Sequence, residues 1–125
     1  MNKQVQVALL LTGNELMSGD TVDSNSSRIA LALGAHKIGV GKKITVGDDP
    51  TLLTDSLIDL CASAEVVIIN GGLGPTGDDL TAELVAEVAG QALVNHPSAI
   101  EHLEEWCERR GLELNASNLK QALLP

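Results

Sequence analysis

Aromatic side chains are almost missing from this sequence of 125 residues, which has no Phe, no Tyr and a single Trp at position 106. The hydrophobic core must therefore be built from Leu, Ile, Val and Ala. Proteins that bind single-stranded nucleic acid without sequence preference stack the bases on several aromatic side chains. The near absence of such side chains argues against that class of function.

Positive charge is also scarce, because 8 Lys and Arg residues stand against 17 Asp and Glu residues, for a net charge of −9. The longest basic runs are the pairs Lys42-Lys43 and Arg109-Arg110. Binding to a phosphate backbone needs a basic surface, so we expect no nucleic acid as a partner. An acidic protein that binds a small phosphate ligand must offset the repulsion with backbone N–H groups or a metal ion.

Cysteine is limited to Cys61 and Cys107, which lie far apart and form no C-x-x-C pair. We predict that both are reduced thiols in the core, which indicates a reducing compartment. The apolar run at residues 5–11 is too short for a membrane span or for the apolar core of a signal peptide. We therefore expect a cytoplasmic protein without a membrane partner.

Short apolar runs alternate with helical patterns three times, with strands predicted at residues 5–11, 37–46 and 65–70. This order is typical of an α/β fold in three layers, with a mostly parallel sheet and helices on both faces. A last helical stretch is predicted at 117–123. Three strands are few for this class, so we treat residues 1–125 as one domain that is incomplete at its C-terminal end.

Two helix starts can be predicted from their capping residues. Asp49 suits the N-cap of the helix after the second strand, and Pro50 suits its first position, where the missing N–H costs nothing. Ser98 and Glu101 have the spacing of a capping box at the start of a later helix, whose inner face would carry Trp106.

Polar clusters follow all three predicted strands. Ligands of open parallel sheets bind beyond the carboxyl ends of the strands, so we expect these clusters to meet at one edge and form a site. The three clusters are Thr12-Gly13-Asn14-Glu15, Gly47-Asp48-Asp49 and Asn70-Gly71-Gly72.

The third cluster continues into a glycine-rich turn with Gly71, Gly72, Gly74 and Gly77. Glycine permits positive φ and close backbone approach, and the N–H groups of such a turn can bind phosphate oxygens at a helix N-terminus. The alternative is an ordinary turn with a helix cap. Four glycines in seven residues favour phosphate binding, although the turn lacks both the Gly-Lys-Ser/Thr of a P-loop and the acidic residue of a dinucleotide fingerprint.

Acidic residues accompany each cluster and raise the question of a metal. Asp78 and Asp79 are adjacent at a helix start, and a bound Mg²⁺ would relieve their repulsion by bridging carboxylate and phosphate oxygens. Asp48 is a further candidate metal ligand, whereas Asp49 is assigned to capping. Glu15 is a candidate metal ligand or general base, with a solvated loop residue as the alternative.

Five segments resemble, in order along the chain, the N-terminal domain of the CinA (competence/damage-inducible protein) family, within the wider MogA- and MoeA-like molybdopterin-binding domain family. The segment from Gly71 to Thr81 is the most specific of them. The segments are Thr12-Gly-Asn-Glu-Leu-Met-Ser-Gly19, Asp23-Ser-Asn25, Val46-Gly-Asp-Asp49, Gly71-Gly-Leu-Gly-Pro-Thr-Gly-Asp-Asp-Leu-Thr81 and Asn118-Leu-Lys-Gln-Ala-Leu-Leu-Pro125.

The resemblance implies metal-dependent hydrolysis of ADP-ribose, or of a similar nucleoside diphosphate sugar, to AMP and ribose 5-phosphate. It implies Mg²⁺ or another divalent cation, with K⁺ as an accompanying candidate, and a phosphate or nucleotide as the small-molecule partner. The alternative it implies is a molybdopterin-binding module, and a third possibility is an inactive fragment of either. The resemblance matches Asp48 and Asp79 to the family's acidic positions, and Gly71, Gly72, Gly74 and Thr76 to its phosphate-binding turn. With the residues singled out above, the predicted site residues are Asp48, Asp79 and Glu15 for catalysis, Asp48, Asp78 and Asp79 for metal, and Thr12, Gly13, Gly71, Gly72, Leu73, Gly74, Pro75 and Thr76 for ligand binding.

Two departures from the family pattern stand out. Family members continue past the Lys-Gln-Ala segment, and many carry Asp at the position of Asn14. Relatives form dimers or trimers, so a homo-oligomer is also expected.

Overall fold

The computed structural model describes residues 3–125. The chain divides into two compact units, Met1–Gly71 and Gly72–Pro125. No helix of residues 3–125 has both the length and the apolar character that crossing a membrane requires.

The first unit is built on a parallel sheet of three strands in the order β2-β1-β3. The strands are β1 (Val7–Thr12), β2 (Val40–Val46) and β3 (Val66–Asn70). Every residue of β1 is buried, because β1 lies between the other two strands. This position explains the apolar run and confirms the predicted α/β class with its parallel sheet.

Three helices accompany this sheet: α1 (Asn14–Ser18), α2 (Asn25–Ala35) and α3 (Pro50–Ser63). The predicted start of α3 is confirmed, because the Leu52 N–H donates to Asp49 Oδ1 at 2.9 Å and Pro50 is the first helical residue. The helix packs on the sheet through buried Leu53, Leu57 and Leu60.

Two expectations for the first unit are wrong. Cys61 is exposed, because it follows Leu60 directly and so lies off the buried stripe of α3. The polar cluster after Thr12, where Glu15 had a loop position as its alternative, instead folds into the short helix α1, which ends at Gly19 in the left-handed conformation.

The second unit is helical, with a small antiparallel pair of strands. Its buried residues are few and small to medium in size, in keeping with the composition. Its elements are α4 (Thr81–Ala89), β4 (Val94–Asn95), α5 (Pro97–Arg109), α6 (Ala116–Leu119), a 3₁₀-helix (Lys120–Ala122) and β5 (Leu123–Leu124).

The predicted capping box at the start of α5 is wrong. The helix begins at Pro97, so Ser98 and Glu101 already lie inside it. Proline lacks an N–H and has a fixed φ, which suits it to the first helical position and moves the start ahead of Ser98. Trp106 is 41% exposed and does not pack in a core, whereas Cys107 is buried as predicted.

The last predicted helical stretch, 117–123, forms one residue earlier, as α6 followed directly by the 3₁₀-helix. The chain leaves the helical conformation after Ala122 and pairs as β5 with β4, with Leu124 opposite Val94 and Leu123 opposite Asn95. Strands of two residues leave no periodic pattern, so this pairing could not be predicted from the sequence.

Candidate functional site

The carboxyl ends of the three parallel strands lie side by side in the first unit. Thr12 at the end of β1 pairs with Val46 at the end of β2, and Leu11 pairs with Asn70 at the end of β3. The first two polar clusters, and the start of the third, therefore meet at one edge as predicted. The third cluster continues from Gly72 in the second unit.

Asp48 is the centre of this strand-end cluster. Its Oδ1 accepts a hydrogen bond from Thr12 Oγ1 at 3.3 Å, and its Oδ2 accepts from the Asn14 N–H at 3.3 Å. In return, the Asp48 N–H donates to Asn14 Oδ1 at 2.9 Å. These reciprocal bonds fix the Asp48 carboxylate, which is half-buried, between the ends of two strands.

Glycines allow the backbone to come close at the same edge. A Cβ on Gly71 would lie 2.3 Å from the Thr12 carbonyl oxygen, and Gly71 has a φ of 108°. A Cβ on Gly13 would meet the Glu15 carboxylate at 2.5 Å, so Glu15 folds back over the backbone of the turn. Gly71 is the stricter requirement, because its neighbour is backbone and cannot move aside.

Asn70 extends the cluster to the start of α2. Its Oδ1 accepts a hydrogen bond from Asn25 Nδ2 at 3.1 Å. This edge therefore carries both carboxylate and carboxamide groups, which can bind a cation or the hydroxyl groups of a sugar.

The glycine-rich turn of the second unit folds around the carboxylate of Asp79. Asp79 Oδ2 accepts hydrogen bonds from the Thr76 N–H at 3.0 Å and from Thr76 Oγ1 at 2.7 Å. A Cβ on Gly74 would lie 2.6 Å from the same oxygen. The turn thus binds the Asp79 carboxylate through Thr76, a residue that was predicted to bind phosphate.

These contacts lower the pKa of Asp79. The hydrogen bond from the Thr76 hydroxyl is the largest cause, and partial burial opposes it. The N–H groups of Thr76 and Gly74 and the charge of Lys120 lower the pKa further. Asp79 is therefore a carboxylate at neutral pH.

Lys120 ties the turn to the C-terminal segment. Its Nζ donates to the carbonyl oxygens of Thr76 at 2.5 Å and of Asp79 at 2.6 Å. Gln121 adds a bond from its Nε2 to the Leu73 carbonyl at 3.4 Å. The sequence analysis missed Lys120 as a site residue, although it lies in the Asn118–Pro125 segment that carried the resemblance.

The turn residues that remain exposed are Leu73, Pro75, Thr76, Gly77 and Asp78. Gly72 has a φ of 67°, and its carbonyl accepts the Thr81 N–H at 3.1 Å where α4 begins.

A metal site is not formed by the side chains alone in the part of the chain that the structure describes. Residues 3–125 contain no group of three or more His, Cys, Asp or Glu residues placed to hold a metal ion. The predicted metal ligands Asp48, Asp78 and Asp79 remain predictions, as do the catalytic roles of Asp48, Asp79 and Glu15.

Comparison with known proteins places this chain among molybdopterin-related domains. The family model described as "Probable molybdopterin binding domain" matches residues 8–118. A CinA-like protein of Colwellia psychrerythraea is 52% identical over 120 residues, which are 96% of this chain and 28% of that protein. The Nicotinamide-nucleotide amidohydrolase PncC of Shewanella oneidensis is 38% identical over 121 residues, 97% of this chain and 28% of that protein. The chain thus spans less than a third of the length of these relatives.

Solved structures support the same grouping. The protein CinA of Thermoplasma acidophilum, described as of unknown function, matches with a TM-score of 0.84 and 29% identity over 98% of this chain and 71% of that chain. The Molybdopterin biosynthesis enzyme MoaB of Thermus thermophilus matches with a TM-score of 0.65 and 20% identity over 96% of this chain and 71% of that chain, which shows a shared fold alone.

Proposed function

Because this chain belongs to the family of probable molybdopterin binding domains, we propose that it binds a phosphate-bearing nucleotide and hydrolyses the diphosphate of ADP-ribose or a similar nucleoside diphosphate sugar. Water adds to one phosphorus as the bridging P–O bond breaks, which yields AMP and ribose 5-phosphate. The Shewanella oneidensis relative is named for an activity on nicotinamide nucleotide, and this name supports a nucleotide as the class of ligand.

The observation that carries the proposal is the closed turn at Gly72–Asp79, which leads into α4. The Asp79 carboxylate and Lys120 fix its shape from inside, so Pro75, Thr76 and Gly77 stay exposed without losing their conformation. The first N–H groups of a helix lack partners within it and favour anions. A phosphate at this turn would lie against the exposed backbone of residues 75–78 just before α4, while the Thr76 N–H and Oγ1 keep their bonds to Asp79.

A divalent cation fits the chemistry of the donors. Mg²⁺ prefers oxygen ligands, and it binds one or two carboxylates together with substrate phosphates. Asp78 is exposed on the turn, and Asp48 presents a fixed carboxylate in the first unit, so both are proposed ligands. Asp79 is a third proposed ligand, with its Oδ2 also engaged by Thr76. The cation would offset the repulsion between phosphate and an acidic protein, with K⁺ as a further candidate.

Catalytic roles can be assigned within the same proposal. Glu15 is exposed and is the candidate that orients or deprotonates water. Thr12, Gly13 and Gly71 shape the strand-end cluster, and Gly72, Leu73, Gly74, Pro75 and Thr76 form the phosphate-binding turn. We also propose a cytoplasmic location and a homo-oligomer.

The test is release of AMP from ADP-ribose by the purified chain in the presence of Mg²⁺, followed by chromatography. We expect AMP to appear with Mg²⁺ and to stop after addition of EDTA. An Asp48→Asn variant, which keeps the size of the side chain, should lose most of the activity. Absence of AMP across a range of divalent cations would refute the hydrolytic function.

A second candidate function, binding of molybdopterin, is favoured by the family model and by the fold shared with MoaB. It predicts that a fluorescent pterin co-purifies with the protein from cells that make this cofactor. A Gly72→Val variant should lose the pterin, because a β-branched residue is strained at a φ of 67°. A wild-type protein without pterin fluorescence would count against this candidate.

A further inference from the structure

The second unit contains a cavity of about 480 Å³ beside the turn. This volume lies within the range of about 300–1,000 Å³ that is typical of small-molecule sites. Its lining comes from α5, from α6 and the 3₁₀-helix, and from Pro75 of the turn. The lining residues are Pro75, His102, Leu103, Trp106, Cys107, Asn118 and Gln121.

The wall from α5 carries Trp106, the single Trp of a chain that has no Phe and no Tyr. Leu103, Trp106 and Cys107 share one face of the helix, and this spacing would normally indicate a packed core. That face instead borders the cavity, and Trp106 keeps 41% of its surface exposed. The Arg110 guanidinium lies 4.1 Å from the centroid of the Trp106 ring, so a cation–π contact holds the indole in place.

The lining from α6 and the 3₁₀-helix carries two carboxamides, from Asn118 and Gln121. A carboxamide both donates and accepts, and it can pair with the edge of an adenine through its N6 and N7 atoms. Gln121 uses Nε2 for the Leu73 carbonyl, which leaves its Oε1 as an acceptor. The indole of Trp106 and two such groups in one cavity match the face and the edge of a purine.

We propose that this cavity binds the purine ring of the nucleotide, stacked on Trp106 and hydrogen-bonded to Asn118 and Gln121; this inference rests on the function proposed above. Pro75 belongs both to the cavity wall and to the turn that binds phosphate. The base and the phosphate of one nucleotide therefore have adjacent places within the second unit. The cavity selects nucleotides over sugar phosphates.

Trp106 gives a direct test, because the chain has no other Trp and no Tyr. Emission excited at the red edge of the indole band reports on this cavity alone, away from the absorption of adenine. Titration with AMP, adenosine and ADP-ribose should change the emission in a saturable way, and ribose 5-phosphate should leave it unchanged. An unchanged emission with AMP and ADP-ribose, or an equal response to ribose 5-phosphate, would overturn the proposal.

A variant pair separates base recognition from folding. Asn118→Ala should weaken AMP binding about tenfold, the effect of a lost base-edge contact, without changing the affinity for ribose 5-phosphate. Glu104→Ala, on an exposed position of α5, is the control and should bind AMP like the wild type. Calorimetry measures both affinities without using Trp106. Equal AMP affinities for the two variants would overturn the assignment of the purine edge.

The failure of this inference can be told apart from the failure of the proposed function. Hydrolysis of ADP-ribose with an unresponsive Trp106 would overturn the purine cavity and leave the hydrolytic function standing. A saturable response to adenosine without hydrolysis would support the cavity and contradict the hydrolytic function. A change of Trp106 emission with protein concentration alone would show that a second copy covers the cavity, which would also overturn the proposal.

Discussion

Asp79 supports the turn from within, because its carboxylate accepts both hydrogen bonds from Thr76. Asp79→Ala should lower the free energy of unfolding by about 1 kcal/mol, the typical net contribution of a hydrogen bond. Asp78→Ala is the matched control, since Asp78 is the exposed neighbour, and it should change stability by less than about 0.5 kcal/mol. Urea denaturation measures both. Equal effects of the two substitutions would contradict the role assigned to Asp79.

The same carboxylate makes the turn sensitive to acid. The lowered pKa of Asp79 means that the folded protein favours the ionised form. Its contribution to stability is therefore fully present above the ordinary Asp pKa of about 3.9 and is lost as the pH falls through the lowered value. The stability difference between wild type and Asp79→Asn should be constant from pH 7 to about 5 and should shrink at lower pH. A difference that persists unchanged into acid would contradict this cause.

The backbone at position 71 has a conformation and a close contact that only glycine accommodates. Its φ is 108°, and a Cβ would lie 2.3 Å from the Thr12 carbonyl oxygen. Gly71→Ala should destabilise the protein by about 3 kcal/mol through strain and displaced backbone. Gly77→Ala is the control, because a Cβ there meets nothing within 4 Å, and it should be nearly neutral. Thermal unfolding at equal protein concentration measures both variants. Equal midpoints for the two would contradict the account.

At the scale of elements, the 3₁₀-helix is held to the turn by Lys120. Lys120→Met keeps most of the aliphatic stem and removes the two hydrogen bonds to Thr76 and Asp79. Charged hydrogen bonds contribute about 1.5–3 kcal/mol each when buried, so at this half-buried position a total loss of about 2 kcal/mol is expected.

Hydrogen exchange would localise this effect. The amides of the turn should exchange faster in Lys120→Met, and those of β1 should keep their protection. Lys42→Met is the control, because the exposed Lys42–Asp59 pair at 2.7 Å should contribute little. Unchanged exchange in the turn of the Lys120 variant would refute this link between the two elements.

The strands and the helix starts show where sequence patterns were informative. The parallel sheet and the start of α3 were predicted because long apolar runs and an Asp-Pro pair are local signals. The capping box at Ser98 failed because Pro97, one residue earlier, competes for the helix start. The pairing of β4 with β5 joins residues about thirty positions apart through only two residues each, so no local pattern reveals it.

One part of the candidate site, the strand-end cluster, could be predicted from the sequence, and the other part, the turn around Asp79, could not. Parallel strands bring their carboxyl ends together, so the contact between Thr12, Asn14 and Asp48 follows from the fold class. The partners of Asp79 could not be predicted in this way. Spacing alone does not distinguish a carboxylate that binds metal from one that its own turn holds, and Lys120 approaches from 41 residues away.

At the scale of the whole molecule, the net charge determines which groups a phosphate-binding site requires. A charge of −9 repels phosphate, so the proposed activity depends on a cation and on fixed N–H donors. The region matched in the relatives is less than a third of their full length. The activity is therefore proposed for this region alone.

The most direct test of the nucleotide diphosphate hydrolysis is ³¹P NMR of ADP-ribose incubated with the purified chain and Mg²⁺. We predict that the two diphosphate signals disappear together and that two phosphomonoester signals, those of AMP and ribose 5-phosphate, replace them at equal intensity. Diphosphate signals that persist unchanged, at protein concentrations high enough to saturate the substrate, would contradict the account.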